Sequence, residues 1–210
     1  MEKYINALNH RYSVKKFDKN KKIDKNTIER IIEAGRLSVS SLGLQPYRII
    51  VIENDEKLQS LIPAFHNPSQ VSTCSHLIAI VSRKRIDNEY IDAYFNHIST
   101  TRNMEVELLA PFKKIVEEYK GQHSEDELLH WNEKQSYILL GNMVFAAALE
   151  GIDSCPMEGF FREELGNLLQ IDTQKEQVTV TVALGTRAED DFFQTLKKVR
   201  KPNDKFLEFI

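Results

Sequence analysis

Two segments near opposite ends of the chain carry cations at spacings that suit a phosphate group. Near the N-terminus, Arg11, Ser13 and Lys15 alternate with other residues, so an extended backbone points their side chains to one side. Arginine offers paired N–H donors, serine a short hydroxyl donor and lysine a point charge, a combination that suits phosphate. Near the C-terminus, Lys198 and Arg200 are also separated by one residue. Taken alone, each segment is equally typical of a solvated basic surface.

A loop between a predicted helix and a predicted strand contains residue types that let a backbone approach a ligand closely. It holds the small residues Ser40, Ser41 and Gly43. Gln45, in the same loop, carries amide donors and an acceptor that suit the edge of a heterocycle. Ordinary turn chemistry would produce the same composition, so this loop by itself indicates no function.

A second candidate loop follows a predicted strand at residues 152–155 and contains Pro156, Met157, Glu158 and Gly159. Proline fixes the backbone and glycine permits unusual dihedral angles, so the loop can present backbone N–H groups in a set direction. A purely structural connection between a strand and a helix is the alternative interpretation. The residues of the loop do not separate the two.

Charge, cysteine content and absent motifs exclude several classes of protein. The 210 residues include 28 Lys+Arg and 31 Asp+Glu, and the net charge of −3 argues against a globally basic nucleic-acid-binding protein. Cys74 and Cys155 cannot form a disulfide framework, and the six histidines lack the spacing of a zinc site. The sequence contains no phosphate-binding GxxxxGK[ST] loop, no GxGxxG, no HExxH and no GxSxG motif.

Length and hydropathy predict the kind of domain. Hydrophobic residues make up 41% of the chain, which is typical of a globular protein, and we expect a single domain over residues 1–210. The first residues lack the apolar stretch of a signal peptide, and the most apolar run, residues 137–149, is shorter than the roughly 20 residues that span a bilayer. We therefore expect a soluble cytoplasmic protein with neither a membrane nor a nucleic acid as partner.

Hydrophobic periodicity and capping residues predict three long helices. We expect them to begin at Asp24, Asp87 and Ser124. The last of these helices runs to about Glu150 and is apolar almost all round from residue 138 to residue 149. A helix that is apolar on every side is typically buried.

Short runs of β-branched residues predict the strands, at residues 47–53, 76–82, 152–155 and 177–184. A few strands interleaved with long helices indicate an α+β fold with a layered, central mixed sheet flanked by helices. The C-terminal residues 206–210 are apolar, although chain ends are usually disordered. We expect this tail to dock, with a partner subunit as a candidate surface.

In order along the chain, these segments resemble the FMN-dependent nitroreductase family, and most of all its oxygen-insensitive NAD(P)H nitroreductase and dihydropteridine reductase branch. The resemblance rests on RYSVKxFD near the N-terminus, SSxGxQPYR before the first long strand and NxxQ/KxxxxSH at residues 67–76. It continues with GNMxxAAALEGIDSCPMEGF at residues 141–160, and with VALG and KxRKP towards the C-terminus. Each motif is weak alone, but together they cover essentially the whole chain in the expected order.

The resemblance implies a nitroreductase-like fold in an intertwined homodimer, with FMN bound tightly at the subunit interface. It implies an oxidoreductase that uses NADH or NADPH to reduce nitroaromatics, quinones or similar electron-poor small molecules. The reaction would be a ping-pong hydride transfer through flavin N5. The family's chemistry requires no catalytic side chain and no metal, because the flavin carries it. Lys15, as a cation near the pyrimidine end, and Glu158 are expected to support the flavin.

The resemblance also implies cofactor contacts at the positions that match the family's motifs. These positions are Arg11, Tyr12, Ser13, Lys15, Ser40, Ser41, Gly43, Asn67, Gln70, Pro156, Met157, Glu158, Gly159, Lys198 and Arg200. The basic residues would hold the phosphate and the ring edge, and the serine loop would line the flavin from the partner subunit. Asn67 would contact the isoalloxazine edge, and residues 156–159 would lie along the ring with a backbone N–H reaching N5. Gln70 departs from the lysine that close relatives often hold, and residues 112–123 are expected to shape the substrate pocket.

Three alternative functions remain open. Flavin or enone reduction would keep both the fold and FMN, and a non-catalytic redox sensor would keep the flavin without turnover. A helical interaction protein, from a different class, would treat the basic residues as surface charge and leave the ordered motifs unexplained. Steady consumption of NAD(P)H with an added nitro compound or quinone distinguishes an enzyme from a sensor, and binding of FMN distinguishes both from the third.

Overall fold

The computed structural model describes residues 2–210, and within that range the helices surround a β-sheet. The helices are α1 (Glu2–His10), α2 (Lys25–Arg36), α3 (Asp55–Leu61), α4 (Pro68–Thr73), α5 (Asn88–Arg102), α6 (Ala110–Gly121), α7 (Glu125–Leu149), α8 (Arg162–Leu168) and α9 (Asn203–Phe206). The strands are β1 (Tyr47–Ile52), β2 (His76–Arg83), β3 (Asp153–Met157) and β4 (Glu176–Gly185). None of the helices in residues 2–210 combines the length and the apolar character required to cross a bilayer.

Side-chain caps begin the long helices where the sequence predicts them. Asp24 caps α2 and Asp87 caps α5, and each accepts a hydrogen bond from a backbone N–H three residues on. Ser124 and Glu127 form the predicted capping box at the start of α7. Gly151 follows the end of α7 with a φ of 73°, a conformation that glycine adopts without strain. These local signals fix the length of α7, the helix that covers the sheet.

The sheet confirms the α+β class but differs from the expectation in strand direction. In the described range, four strands lie in the order β1-β2-β4-β3, and each neighbouring pair is antiparallel. The expectation of a mixed sheet is therefore wrong for the strands themselves. Among residues 2–210, parallel pairing is limited to an isolated bridge between Ser13 and Ser154. Strand direction depends on the path of the connecting segments, which a run of β-branched residues does not reveal.

Both faces of the central strands β2 and β4 are buried, and β2 accordingly has a continuous apolar run. On β2, Leu77 and Ala79 enter a cluster with Phe17, whereas Ile78 and Ile80 enter a second cluster with residues of α2 and α7. Neighbouring residues of a strand thus serve opposite faces. The result is a rigid base on which β3 presents the loop that follows it.

Apolar surface remains uncovered in the single chain. α7 buries Leu139 and Met143, but Ile138 is 39% exposed and Leu149 is 37% exposed. The prediction that this half of α7 is buried on every side is therefore wrong within one chain. The tail at residues 206–210 is exposed as well, so its expected docking surface does not lie on the same chain.

Gly185, at the end of β4, tests how tightly the sheet packs against the N-terminal segment. An added Cβ would lie 2.8 Å from Phe17 Cδ1 and 3.3 Å from the Ser75 backbone nitrogen. Phe17 is buried in the core and cannot move aside. We therefore expect Gly185→Ala to lower the free energy of unfolding, measured by urea denaturation, by about 1–3 kcal/mol. Gly121→Ala is the control, because a Cβ there meets nothing within 4 Å. Equal losses in both variants would contradict this close packing.

Candidate functional site

The segment that follows α1 runs alongside β3, which places the N-terminal cations at one edge of the sheet. Ser13 and Ser154 form the parallel bridge, and the Val14 N–H donates to the Ser154 carbonyl at 3.3 Å. Val14 is completely buried, whereas Ser13 and Lys15 are partly exposed. Residues 11–15 therefore follow the extended path that the sequence predicts, with Val14 facing the core.

The C-terminal segment crosses the same edge and meets the N-terminal segment. The Lys198 ammonium donates to the backbone carbonyls of Leu8 and Arg11. Leu8 lies in the last turn of α1, where carbonyls without helical partners favour a cation. Burial, and after it the positive charge of Arg200, lowers the pKa of Arg11. The two ends of the chain thus bring their basic residues together.

A cavity of about 590 Å³ opens between these two segments. Ligand-binding cavities commonly enclose about 300–1,000 Å³. The lining residues are Asn9, His10, Arg11, Tyr12, Ser13, Lys15, Arg187, Phe193, Gln194, Leu196, Lys197, Lys198 and Arg200. Lysine and arginine dominate this lining, and within residues 2–210 no carboxylate side chain belongs to it. The cavity is therefore suited to an anion.

Arg11 carries a hydrogen-bond donor that the folded chain leaves unsatisfied. Its Nε is buried and finds no acceptor within residues 2–210. Burial also lowers the pKa of Lys198, and the charges of Arg11 and Arg200 lower it further. Buried donors usually have acceptors, and like charges in one cavity repel each other. A bound anion would satisfy the donor and relieve the repulsion.

The carboxylate of Asp191 holds the N-terminal segment in place by binding its backbone N–H groups. The carboxylate accepts the Lys15 N–H at 2.7 Å, the Lys16 N–H at 3.1 Å and the Phe193 N–H at 3.1 Å. Burial by itself would raise the pKa of Asp191, but these backbone donors outweigh it and the pKa is lowered. Sequence reasoning missed this residue, because a carboxylate that binds backbone N–H groups belongs to no motif.

A second buried carboxylate, Asp153, neutralises Arg187. The Arg187 Nη2 lies 2.5 Å from Asp153 Oδ1, and both side chains are largely buried. The Arg187 guanidinium also stacks over the Tyr12 ring, 4.6 Å from its centroid. This ion pair was also missed from sequence. The ion pair fixes Tyr12 at the cavity wall. Because Arg187 is neutralised, the net positive charge of the cavity comes from Arg11, Lys15 and the C-terminal cations.

The loop that follows β3 is fastened through its carbonyl groups. The Gly159 carbonyl accepts the His66 N–H at 2.9 Å, and the Glu158 carbonyl accepts the Phe160 N–H at 3.0 Å. The N–H groups of Glu158 and Gly159, by contrast, have no acceptor among residues 2–210. Two adjacent free N–H donors on a fixed loop can bind the acceptor atoms of a flat heterocycle.

α4 joins the cavity to this loop around the buried thiol of Cys155. Lys15 Nζ lies 4.0 Å from Cys155 Sγ on one side, and Gln70 Nε2 lies 3.9 Å from it on the other. Gln70 is buried, and its Oε1 has no hydrogen-bond partner within the described range. Asn67 caps α4 by accepting the Ser69 N–H at 3.2 Å, which leaves its amide NH₂ group for another partner.

The serine loop does not join these residues within one chain. The Ser41 N–H donates to Gln135 of α7 at 2.8 Å, and Tyr94 of α5 donates to the Leu42 carbonyl at 3.1 Å. Gly43 has a φ of 69°, and an added Cβ would lie 2.5 Å from the Tyr94 hydroxyl. The placement of Ser40, Ser41 and Gly43 beside a ligand therefore stays a prediction for an assembly.

Gln45 and residues 112–123 also lie outside the cavity. The Gln45 amide donates to the Arg36 carbonyl at 3.1 Å, which ties this side chain to the end of α2, away from the cavity. Residues 112–123 form most of α6 and the turn after it, and Phe112 packs on Phe95 with ring centroids 5.3 Å apart. Their role in a substrate pocket stays a prediction.

Fold and cavity together define a class of protein: a layered α+β protein with a cavity lined by cations and, connected to it through β3, a loop that carries free backbone N–H donors. The chain belongs to the nitroreductase family, whose family model matches residues 8–186. The family predicted from the ordered motifs is therefore confirmed. Membership of this family supports the assignment of the chain to the oxidoreductases.

Individual relatives agree with this assignment over nearly the full length. A Staphylococcus haemolyticus protein named "Putative NAD(P)H nitroreductase" is 37% identical over 217 residues, which cover 100% of this chain and 98% of that protein. A crystal structure of a Staphylococcus epidermidis protein named "Putative NAD(P)H:FMN oxidoreductase" is 25% identical with a TM-score of 0.85, covering 99% of this chain and 95% of that one. An Exiguobacterium sibiricum protein named "Putative nitroreductase", solved in complex with FMN, shares the fold with a TM-score of 0.84 at 21% identity, covering 99% of this chain and 97% of that one.

Asp191→Asn tests the carboxylate that supports the cavity. We expect a loss of about 1–3 kcal/mol in the free energy of unfolding at pH 7, because the backbone donors lose a charged acceptor. The lowered pKa of Asp191 means that its stabilisation is present above about pH 4 and is lost as the pH falls through the folded-state pKa. The difference from wild type should therefore shrink in acid.

Asp190→Asn is the matched control for this prediction. Asp190 is exposed and pairs with the exposed Lys16, and surface ion pairs contribute only about 0–1 kcal/mol. Urea unfolding at pH 7 and at pH 3 measures both variants. Equal stabilities of the two variants at pH 7 would contradict the supporting role of Asp191.

Proposed function

We propose that this chain is an FMN-dependent NAD(P)H oxidoreductase that reduces nitroaromatics, quinones or similar electron-poor acceptors. The observation that carries the proposal is the cavity in which Arg11 and Lys15 meet Lys198 and Arg200. A phosphate group is the ligand that these side chains suit best. The family, together with the Exiguobacterium structure in complex with FMN, supports FMN as the molecule that carries this phosphate.

The residues present fit FMN at both of its ends. The unsatisfied Nε of Arg11 and the repulsion between the neighbouring cations favour a phosphate in the cavity. The free N–H groups of Glu158 and Gly159 favour a ring with acceptor atoms along its edge. β3 connects these two features directly, since Ser13 pairs with Ser154 and the loop follows Met157.

Each part of the site then has a distinct role. Arg11, Ser13, Lys198 and Arg200 hold the phosphate, and the wall formed by Tyr12 keeps the extended segment in position. Pro156 and Met157 lie along the ring, while the amide of Asn67 and the buried carbonyl of Gln70 offer polar contacts at its edge. Bound there, FMN would supply hydride transfer between NADH or NADPH and an electron acceptor.

Lys15 has a separate role, because its ammonium lies beside Cys155 at the junction of the cavity and the loop. A fixed cation there stabilises negative charge that develops at the pyrimidine end. No acid–base pair is required of the chain, because its residues bind and orient the reactants.

The function is tested by purifying the chain and titrating it with FMN. We expect a yellow protein that retains FMN through gel filtration and that consumes NADH or NADPH steadily when menadione or nitrofurazone is added. Bound FMN without turnover would favour a redox sensor. Failure to bind added FMN would contradict the proposal.

Lys15→Ala tests the proposed cation at the ring. We expect FMN affinity to fall about tenfold or more, as for the loss of one charged contact of about 1.5–3 kcal/mol, and reduction by NAD(P)H to slow. Fluorescence titration of FMN and stopped-flow absorbance measure the two effects. Lys16→Ala is the control, since Lys16 pairs with Asp190 at the surface. Wild-type affinity and reduction rate in Lys15→Ala would rule out the role.

The same proposal includes a homodimer, supported by the apolar surface that the single chain leaves uncovered. The strand β1 has no neighbour on its outer edge among residues 2–210, and an apolar groove of about 440 Å³, lined in part by Tyr47 and Ile49, lies beside it. The tail at residues 206–210 of a second copy has matching apolar character. In this assembly, Ser40, Ser41 and Gly43 line the partner's cofactor site.

Phe209 tests the exchange of tails, because it is 93% exposed in the single chain. Burying a phenylalanine contributes about 1.5–3 kcal/mol, so Phe209→Asp should weaken dimerisation about tenfold or more, whereas Phe209→Leu should preserve the dimer. Sedimentation equilibrium measures both dissociation constants. Equal constants for the two variants would show that the tail does not bind a second copy.

A further inference from the structure

Tyr137 and Glu158 connect α7 to the loop that follows β3. The Tyr137 hydroxyl donates to Glu158 Oε1 at 2.6 Å, although both residues are substantially exposed. Burial and the contact with this carboxylate raise the pKa of Tyr137 to about 12, so the phenol remains a donor at neutral pH. This hydrogen bond has no part in the core, and it lies on the loop proposed to face the flavin.

The basic side chain of α8 is paired with a different carboxylate. Arg162 lies 3.0 Å from Glu133 Oε1, and the same oxygen accepts from Gln177 at 2.9 Å. Within residues 2–210, Tyr137 is therefore the side chain that holds the carboxylate of Glu158. The position of this carboxylate thus depends on a single neutral donor.

The backbone of the loop makes that position important. The carbonyls of Glu158 and Gly159 are occupied, but the N–H groups of the same two residues are free. A carboxylate is a strong acceptor for free N–H groups close by in the chain. Without a fixed partner, the Glu158 side chain would compete for the N–H donors that the proposed function assigns to the ring.

We propose that Tyr137 is a positioning residue that draws the Glu158 carboxylate towards α7 and so keeps the loop's N–H groups available to the flavin ring. This inference rests on the proposed function, since it needs FMN beside the loop. Tyr137 acts only through Glu158. It holds the negative charge of Glu158 away from the ring edge, where added negative charge would make reduction less favourable.

The test uses the full-length protein and two measurements that do not depend on turnover. Tyr137→Phe removes the hydroxyl and keeps the ring. We expect FMN to bind about threefold or more weakly, as for the loss of one hydrogen bond, and its midpoint potential to become more negative. Fluorescence titration and spectroelectrochemistry give the two values. Tyr4→Phe, an exposed tyrosine of α1 outside the site, is the control and should match wild type in both.

A double-mutant cycle separates positioning from a general structural effect. With Glu158→Ala there is no carboxylate to hold, so adding Tyr137→Phe should change neither value further. If Tyr137→Phe has the same effect with and without Glu158, or no effect on FMN affinity and potential, the inference is overturned. Failure of the wild-type protein to bind FMN would instead overturn the proposed function, so the two failures are distinct.

Discussion

Positive charge gathered from both ends of the chain is the constraint on which the rest of the structure depends. Burial and the charge of Arg200 lower the pKa of both Arg11 and Lys198, and a buried donor of Arg11 has no acceptor within residues 2–210. Such an arrangement lowers the stability of the empty fold. The cations stay close together because other residues hold the backbone in place. An anion that enters the cavity relieves the repulsion between them, and this relief adds to the free energy of binding.

The supporting residues are arranged to hold the cavity without filling it. Asp191 binds backbone N–H groups rather than the lysine and arginine heads, so its charge fixes the extended segment while the cations remain directed elsewhere. Asp153 does neutralise one cation, Arg187, and that pair is largely buried behind Tyr12. The sheet contributes through β3, which pairs with the segment at Ser154 and then delivers the loop with free N–H groups.

Sequence could predict the parts of this site that have a local signature. Asp24, Asp87 and Ser124 begin their helices as expected, and the alternation of residues 11–15 anticipates their extended path. The prediction of a mixed sheet was wrong for the four strands, because strand direction depends on connections between segments that are distant in sequence. Asp191 went unnoticed for a related reason, since the N–H groups of Lys15 and Lys16 that it binds lie 176 and 175 residues away in the sequence. The tail and one side of α7 carry apolar patterns that suggest burial, yet both are exposed in the single chain.

The central claim is that these cations bind the phosphate of FMN, and riboflavin tests it most directly because it differs from FMN only by that phosphate. Isothermal titration calorimetry of both compounds against cofactor-free protein should give an FMN dissociation constant about 100-fold or more below that of riboflavin. Arg11→Ala should bring the two constants closer together. Equal affinities for FMN and riboflavin in the wild-type protein would contradict the account.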